Sequence, residues 1–418
     1  MVIRPFKKGY RSRRSNRWVG DGFPINRLMG CGALARELNP FILLDHVYPT
    51  FFDTTSVARG VAEHPHRGIE FVTLQYEGGL IHRNSLGETA ELDEMDAQWV
   101  TAGSGLCHEE YHSEDFSREG GAFHLVHLWI NLPAAYKMTA PAHRLLPRES
   151  QPVVPLCDEL SVEQASVRVI AGSYRGHKGP AQPFSPMNIW GLRLEPEVDV
   201  LVPVPDGWVA ALLCVGGKLQ VSATDVLYES NLATFEQSGT HVRIRARKGS
   251  YGLLLAAEPL NEPFVRDGGF VMNTEEELAR AKYDFERGRF APVLREAPGD
   301  RSRIKRGRAR QERFRPAGFQ NEVELSSSSG ERAPSSEPEV DCQEWPGTKI
   351  GYGSATRPGE AGYAAVALSL DDYAVARIAG QGAEPARHDA PSPGAQDEQD
   401  PVVEATVDGD ASDGPAGR

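Results

Sequence analysis

Two short segments of the 418-residue chain concentrate the residue types that bind metal ions. The first segment holds His64 and His66, and the second holds His108 and Glu110. Alternate residues of a β-strand point to the same face, so the two members of each pair project together. If the two strands are neighbours, four ligands converge on one ion from a rigid backbone and leave positions open for water or substrate. The pattern therefore predicts a mononuclear metal site with three imidazoles and one carboxylate.

This ligand set leaves some choices open. One divalent transition metal suits this ligand set. We expect Fe(II), but Mn, Ni, Cu, Co and Zn stay open, because the residues do not select among them and geometry and supply decide which ion occupies such a site. Glu70 is an alternative carboxylate ligand, since its spacing from His66 would place it on the same strand face. His112 is an alternative in the second segment for the same reason. A lone His-x-His is more often a satisfied polar or surface pair, but two pairs with a carboxylate favour a metal site.

The elements that must position these side chains are predicted to be β-strands. Residues 41–133 form a succession of short β-branched and aromatic runs separated by turn residues, which is typical of an antiparallel sandwich or barrel. A second block of this kind covers residues 188–257. The proline-rich passage between them, residues 132–186, has fewer strand signals and is predicted to connect the two blocks. The sequence thus predicts an all-β protein with two barrels.

A helix is predicted to close this part of the chain. Asn273 or Thr274 can cap its N-terminus, three glutamates from Glu275 suit the positive end of its dipole, and the pattern ends near Arg289. After residue 292 the composition changes to a basic run and then to Ser, Glu, Pro, Ala, Gly and Asp. Such a low-complexity tail is expected to be mostly disordered.

Charge and cysteine usage limit the class of protein. The formal net charge of -13 argues against a nucleic-acid footprint over the whole surface, because phosphate binding needs clustered Lys and Arg. The five cysteines form no CxxC pair, which favours a reducing compartment. Cys107 beside His108 is either a redox-sensitive thiol or a buried, inert one, and alternation favours the second reading. No run is apolar and long enough to cross a bilayer, so we expect a soluble, cytoplasmic protein.

Several motifs closely resemble the signature of the pirin family. They are Glu63-His64-Pro65-His66-Arg67-Gly68-Ile69-Glu70, residues 82–87, residues 98–105 and His108-Glu109-Glu110. The resemblance continues through residues 128–133, 259–263 and 270–277, and it covers residues 22–290. It implies an all-β double cupin with a short C-terminal helix. The implied domains are a metal-binding cupin at 1–135, a connecting segment at 136–187, a metal-free cupin with its closing helix at 188–292 and a tail at 293–418.

The resemblance also implies which residues act. It assigns the metal to the two histidines of the first segment and to His108 and Glu110 of the second. Glu70 then becomes a candidate for orienting a ligand imidazole. Family members usually carry a small polar residue where Glu109 stands, and alternation points this side chain away from the metal.

Two functions from different classes are consistent with this resemblance. The first is a quercetin 2,3-dioxygenase that acts on a flavonoid-like substrate and O2, with Glu110 as both ligand and catalytic base for the 3-hydroxyl proton. The second is a non-catalytic, iron-binding redox sensor that regulates a protein partner. We expect a monomer that contacts neither nucleic acid nor membrane directly.

Overall fold

Strands dominate the part of the chain that the computed structural model describes, which comprises residues 1–11, 17–30, 32–157 and 163–290. The predicted tail at 293–418 lies outside the described residues, as do Cys31 and Cys342. In the described ranges, no helix has the length and apolar composition that crossing a bilayer requires.

The strands are numbered in chain order. Those of the first half are β1 (Phe6–Arg11), β2 (Arg17–Val19), β3 (Phe23–Met29), β4 (Phe41–Phe52), β5 (Gly60–His66), β6 (Ile69–Glu77), β7 (Leu80–Asn84), β8 (Thr89–Leu92), β9 (Ala97–Thr101), β10 (Leu106–His112), β11 (Gly121–Asn131) and β12 (Ala142–Leu146). Those of the second half are β13 (Val153–Cys157), β14 (Glu163–Ala171), β15 (Ser173–Tyr174), β16 (His177–Lys178), β17 (Met187–Leu194), β18 (Val198–Pro203), β19 (Val209–Gly216), β20 (Lys218–Gln220), β21 (Val226–Tyr228), β22 (Asn231–Phe235), β23 (His241–Ala246), β24 (Ser250–Ala257), β25 (Val265–Asp267) and β26 (Phe270–Met272). The α-helices are α1 (Ala33–Glu37), α2 (Glu114–Glu119) and α3 (Glu275–Glu286), and 3-10 turns occur at Ala134–Tyr136 and Arg148–Ser150.

Two pairs of antiparallel sheets form the two predicted barrels. In the first barrel a seven-stranded sheet has the order β12-β9-β6-β11-β4-β3-β2, and a four-stranded sheet has the order β5-β10-β7-β8. In the second barrel the seven-stranded order is β1-β22-β19-β24-β17-β14-β13, and the four-stranded order is β18-β23-β20-β21. The predicted all-β fold with two barrels is therefore confirmed.

The first strand of the chain belongs to the second barrel. β1 pairs antiparallel with β22, from Phe6 opposite Phe235 to Arg11 opposite Asn231. The buried guanidinium of Arg4 anchors the same segment by donating hydrogen bonds to the carbonyl oxygens of Trp208 (2.7 Å) and Gly239 (3.1 Å). The N-terminal segment thus completes a sheet whose other strands lie more than a hundred residues away in sequence.

The passage predicted as a connection contains strands that both barrels use. β12 pairs with β9 of the first barrel, whereas β13 and β14 form one edge of the large sheet of the second. Some of these strands are short, and prolines lie within or between them. Such strands give a weak periodic signal, which is why the sequence indicates few of them here.

The two large sheets pack against each other through a common apolar core. Alternate residues of β6 and β11, such as Val72 and Leu128, meet residues of the second barrel such as Ile189 and Leu255. Separate clusters fill each barrel, and the cluster inside the second one consists of apolar and aromatic side chains such as Leu212. Burial of this apolar surface is the main stabilising contribution to the fold.

The closing helix α3 begins at the predicted cap. Thr274 Oγ1 accepts a hydrogen bond from the Glu277 backbone N–H, and the Glu277 side chain accepts one from the Thr274 N–H, which makes a capping box. The helix packs its buried residues Leu278 and Ala281 against a cluster that includes Cys107. It therefore covers the outer face of the strand that carries His108.

Candidate metal centre

The two segments predicted to bind a metal lie on neighbouring strands of the four-stranded sheet in the first barrel. β5 and β10 pair antiparallel, with His108 directly opposite His64 and Leu106 opposite His66. The register shifts between His108 and Glu110, so that Glu110 lies opposite Val61. The pairing brings the histidines of both segments to one place inside the barrel.

The three imidazoles form one tight group. The ring centroids of His64 and His108 are 4.3 Å apart, and each of these rings lies 5.0 Å from His66. Each residue offers one ring nitrogen such that the three nitrogens lie within 4.8 Å of one another. A second group with the same spacing consists of His82, His108 and Glu110, so that His108 is common to both.

Backbone carbonyls orient two of the imidazoles. His64 Nδ1 lies 2.8 Å from the Ala62 carbonyl oxygen, and His66 Nδ1 lies 3.3 Å from that of Gly269. Because a carbonyl oxygen only accepts, each Nδ1 carries the proton and each Nε2 keeps its lone pair. Ligating histidines commonly donate their second ring nitrogen to such an oxygen.

His108 supplies the observation that a metal ion would explain. Its side chain is 1 % exposed, and neither of its ring nitrogens has a hydrogen-bond partner among the described residues. Leaving a buried polar group unpaired costs about 1–3 kcal/mol. A metal ion bound among the three imidazoles would satisfy one of these nitrogens, so the residues present fit such an ion.

Burial sets the protonation state of this group. Desolvation lowers the pKa of His64, and it lowers the pKa values of His66 and His108 well below the ordinary range. All three are therefore neutral at pH 7, which is the form in which imidazole binds a metal.

Glu110 is held in place by side chains from two other strands. Its Oε1 accepts a hydrogen bond from Gln98 Nε2 (2.6 Å) and lies 3.3 Å from His82 Nδ1. The amide of Asn84 donates to His82 Nε2 (3.4 Å), so His82 carries its proton on Nδ1 and donates it to the carboxylate. Both contacts fall on Oε1, which leaves Oε2 as the oxygen for a metal or for a substrate proton.

Several histidines around the site are not predicted from the sequence. His82, His127 and His143 are buried in the same barrel, where the Trp129 indole donates to His127 Nε2 (2.9 Å) and His143 Nε2 lies 3.1 Å from Gln98 Oε1. His82 and Gln98 fall within the motifs quoted above, and strand alternation was the signal that could have identified them. Their contacts depend on which strands are neighbours, which spacing alone does not give.

Glu70 hydrogen-bonds neither to an imidazole of this group nor to Glu110, whereas its spacing predicts a metal ligand and the family resemblance implies a residue that orients one. Its Oε1 accepts hydrogen bonds from Trp99 Nε1 (2.8 Å) and Thr101 Oγ1 (2.9 Å). The expectation that it shares a strand face with His66 is wrong because β5 ends at His66 and a turn at Gly68, with φ of 78°, separates it from β6. The turn breaks the alternation, and Glu70 hydrogen-bonds to β9 instead.

Other candidates near the site have structural roles. His112 Nε2 lies 2.9 Å from the Gly22 carbonyl oxygen, and the His112 ring packs against Phe123. Glu109 points to the other face of β10, where it lies 3.5 Å from Arg83. Cys107 is buried against the closing helix, and burial raises the pKa of its thiol to about 12, so it is the inert cysteine that alternation predicts.

Aromatic rings form one wall of the site. The Phe71 ring lies 4.7 Å from that of His108 at a tilt of 32°, and the Trp129 ring meets His66 edge-on at 5.0 Å. Phe71 and Trp129 are at the same time members of the apolar core that the two large sheets share. His64 is only partly buried, so the group is reached most directly from its side.

Comparisons with known proteins match the chain over both barrels. Residues 22–130 match the family model described as Pirin, and residues 189–291 match the one described as Pirin C-terminal cupin domain. The Pseudomonas aeruginosa protein named "Putative quercetin 2,3-dioxygenase" is 38% identical over 282 residues, which are 68% of this chain and 97% of that protein. Human Pirin is 31% identical over 273 residues, which are 64% of this chain and 87% of that protein.

A solved structure agrees with these matches. The crystal structure of quercetin 2,3-dioxygenase from Acinetobacter baumannii superposes with a TM-score of 0.67 at 37% sequence identity, covering 70% of this chain and 100% of that one. Together with the matched cupin domain, this likeness confirms the predicted double-cupin fold.

Proposed function

The chain belongs to the pirin family, as its sequence predicts, and on that premise we propose that it is a metal-dependent oxidoreductase of the quercetin 2,3-dioxygenase type. The observation that carries the proposal is His108, a buried imidazole without a hydrogen-bond partner among the described residues, which faces two further imidazoles. The names of two similar proteins, from P. aeruginosa and A. baumannii, support the reaction type. The proposed metal ligands are His64, His66, His108 and Glu110.

The proposed ion is Fe(II), with the other divalent transition metals as alternatives, because three imidazoles and one carboxylate suit all of them. When bound, such an ion would supply Lewis acidity toward a flavonol oxygen and access to O2. The surrounding protein restricts water, since the His66 and His108 side chains are 2 % and 1 % exposed.

Glu110 is the proposed catalytic base. Its Oε1 is fixed by Gln98 and His82, so the direction of Oε2 is set before substrate arrives. A general base must reach the proton that it removes, and the flavonol 3-hydroxyl is the acidic group of the proposed substrate. His82 donates to the same carboxylate and would stabilise its charged form. The Trp129 ring, which meets His66 edge-on at 5.0 Å, is the proposed aromatic contact for a planar flavonol.

The small-molecule substrate is therefore flavonoid-like, with O2 as oxidant. A cytoplasmic location is part of the same proposal. Two of the three cysteines that the structure describes, Cys107 and Cys214, are buried free thiols, which is compatible with a reducing compartment.

Quercetin consumption under air tests this function. The full chain is loaded with Fe(II), and loss of quercetin absorbance is followed for the wild type, His66→Ala and Glu110→Gln. We expect His66→Ala to lose both metal and turnover, and Glu110→Gln to lower turnover by about 10²–10⁴-fold, the usual contribution of a general base. His241→Ala is the matched control, because His241 lies in β23 of the second barrel.

The outcomes separate the two classes of function. Turnover that persists in Glu110→Gln refutes its role as base. Stoichiometric metal binding by the wild type without any quercetin turnover refutes the enzyme and directs the search to a metal-dependent regulator, whose partner would be sought by comparing ferrous and ferric protein in pull-downs.

A further inference from the structure

A cavity of about 250 Å³ lies between the two barrels, away from the candidate metal centre. Its walls come from β6 and β9 of the first barrel and from β14, β17 and β24 of the second, and none of the four proposed metal ligands lines it. Apolar side chains including Leu74 and Ile170 form much of the wall. The volume exceeds the roughly 150 Å³ of a dry apolar cavity that binds benzene, so a single ring with a substituent fits.

A glycine helps to keep this space open. Gly191 lies within β17 and lines the cavity. A methyl group added there would meet Arg168 Cβ at 3.5 Å and Ile170 Cδ1 at 4.0 Å, which are ordinary van der Waals distances. Neither a close backbone approach nor a left-handed φ therefore requires glycine here, and a longer side chain would extend into the cavity.

Arg168 places a positive charge in this wall. Its Nη1 donates to the Met95 carbonyl oxygen (3.1 Å), and burial lowers the pKa of the guanidinium. Among the described residues it forms no ion pair with a carboxylate. The nearby Asp96 is already engaged, because its two oxygens accept hydrogen bonds from the backbone N–H groups of Arg148 (2.8 Å) and Asp93 (3.1 Å).

The charge and the apolar walls together select a ligand class. With Nη1 engaged, the Nε and Nη2 edge of Arg168 can receive a carboxylate through two parallel hydrogen bonds. The ring of Tyr76, which stacks on His124 at 4.8 Å, offers a flat surface beside it. Burial disfavours the charged guanidinium despite its interaction with the nearby Asp96 carboxylate, and an anionic ligand would offset part of that cost.

We propose that this cavity between the barrels binds a small aromatic monocarboxylate, with its ring between Leu74 and Ile170 and its carboxylate on Arg168. The site is distinct from the metal centre and goes beyond the proposed oxidation of a flavonoid. Because both barrels contribute walls, such a ligand would bridge them.

Isothermal titration of the full chain with benzoate tests the proposal, with benzamide as the uncharged analogue. We expect Arg168→Gln to raise the Kd for benzoate at least about tenfold, since a hydrogen-bonded charge pair is removed. Gly191→Leu is expected to abolish binding by filling the cavity, whereas Gly191→Ala should retain it. Arg243→Gln is the matched arginine control, because Arg243 is exposed and pairs with Asp199 on the second barrel.

One further variant identifies where benzoate binds. A carboxylate could bind at the metal centre instead, and His66→Ala measures that alternative. Benzoate binding that survives in His66→Ala and weakens in Arg168→Gln supports the cavity. Binding lost in His66→Ala alone, equal binding by wild type and Arg168→Gln, or no binding up to about 10 mM each overturns the proposal. If Gly191→Leu does not fold, two other comparisons test the cavity: the Kd for benzoate of Arg168→Gln against that of the wild type, and the Kd of the wild type for benzoate against that for benzamide.

Discussion

Replacing Gly269 with alanine should weaken metal binding although every proposed ligand stays in the sequence. An added Cβ would lie 2.1 Å from the Pro65 carbonyl oxygen and 2.7 Å from His66 Nδ1. Ordinary contacts of this kind are about 3.4 Å or longer, so the segment that carries His66 must move by roughly 1 Å. The displacement also disturbs the Gly269 carbonyl that orients the His66 ring.

The expected loss follows from these contacts. Disturbing the groups that orient a ligand typically costs about 10–100-fold in metal affinity, and overpacking costs about 1–3 kcal/mol of folding stability. Competition with a chromophoric chelator gives the metal affinity, and urea unfolding of the metal-free chain gives the free energy of unfolding. Gly9→Ala is the matched control, because its added methyl meets only the Phe6 ring at 3.5 Å. A metal affinity of Gly269→Ala within twofold of the wild type would refute this account of the site.

Two further predictions concern stability. Asp284→Ala should lower the free energy of unfolding by about 3 kcal/mol, because it leaves the buried Arg67 without the carboxylate 2.9 Å away. Asp199→Ala removes an exposed ion pair and should cost about 1 kcal/mol or less. Equal losses of the two variants in urea unfolding would contradict this. Burial lowers the pKa of His46 to about 3 in the folded chain, whereas the unfolded chain keeps the ordinary value of 6.5. As the pH falls from 6.5 toward 3, His46 therefore takes up a proton in the unfolded chain but not in the folded one, and folding stability is lost. Between pH 7 and 5.5, His46→Gln should therefore lose about 1 kcal/mol less stability than the wild type, and parallel losses would rule the effect out.

The sequence determined the candidate ligand pairs and much of the strand pattern. His64 with His66 and His108 with Glu110 follow from two-residue alternation, and the structure places the two segments on adjacent strands. The start of the closing helix also follows from local sequence, since the capping box at Thr274 needs only a threonine and a glutamate three residues apart. These features depend on neighbours along the chain, so the sequence contains the information directly.

Only the tertiary structure decided how the strands are shared and what surrounds the candidate metal centre. The pairing of β1 with β22, the contact of Glu110 with Gln98 and His82, and the cavity beside Arg168 all join residues that are distant in sequence. Glu70 shows the limit of periodicity, because one turn at Gly68 changed the face that it occupies. Alternation fixes the direction of a side chain within one strand, whereas sheet order and barrel packing fix what it meets.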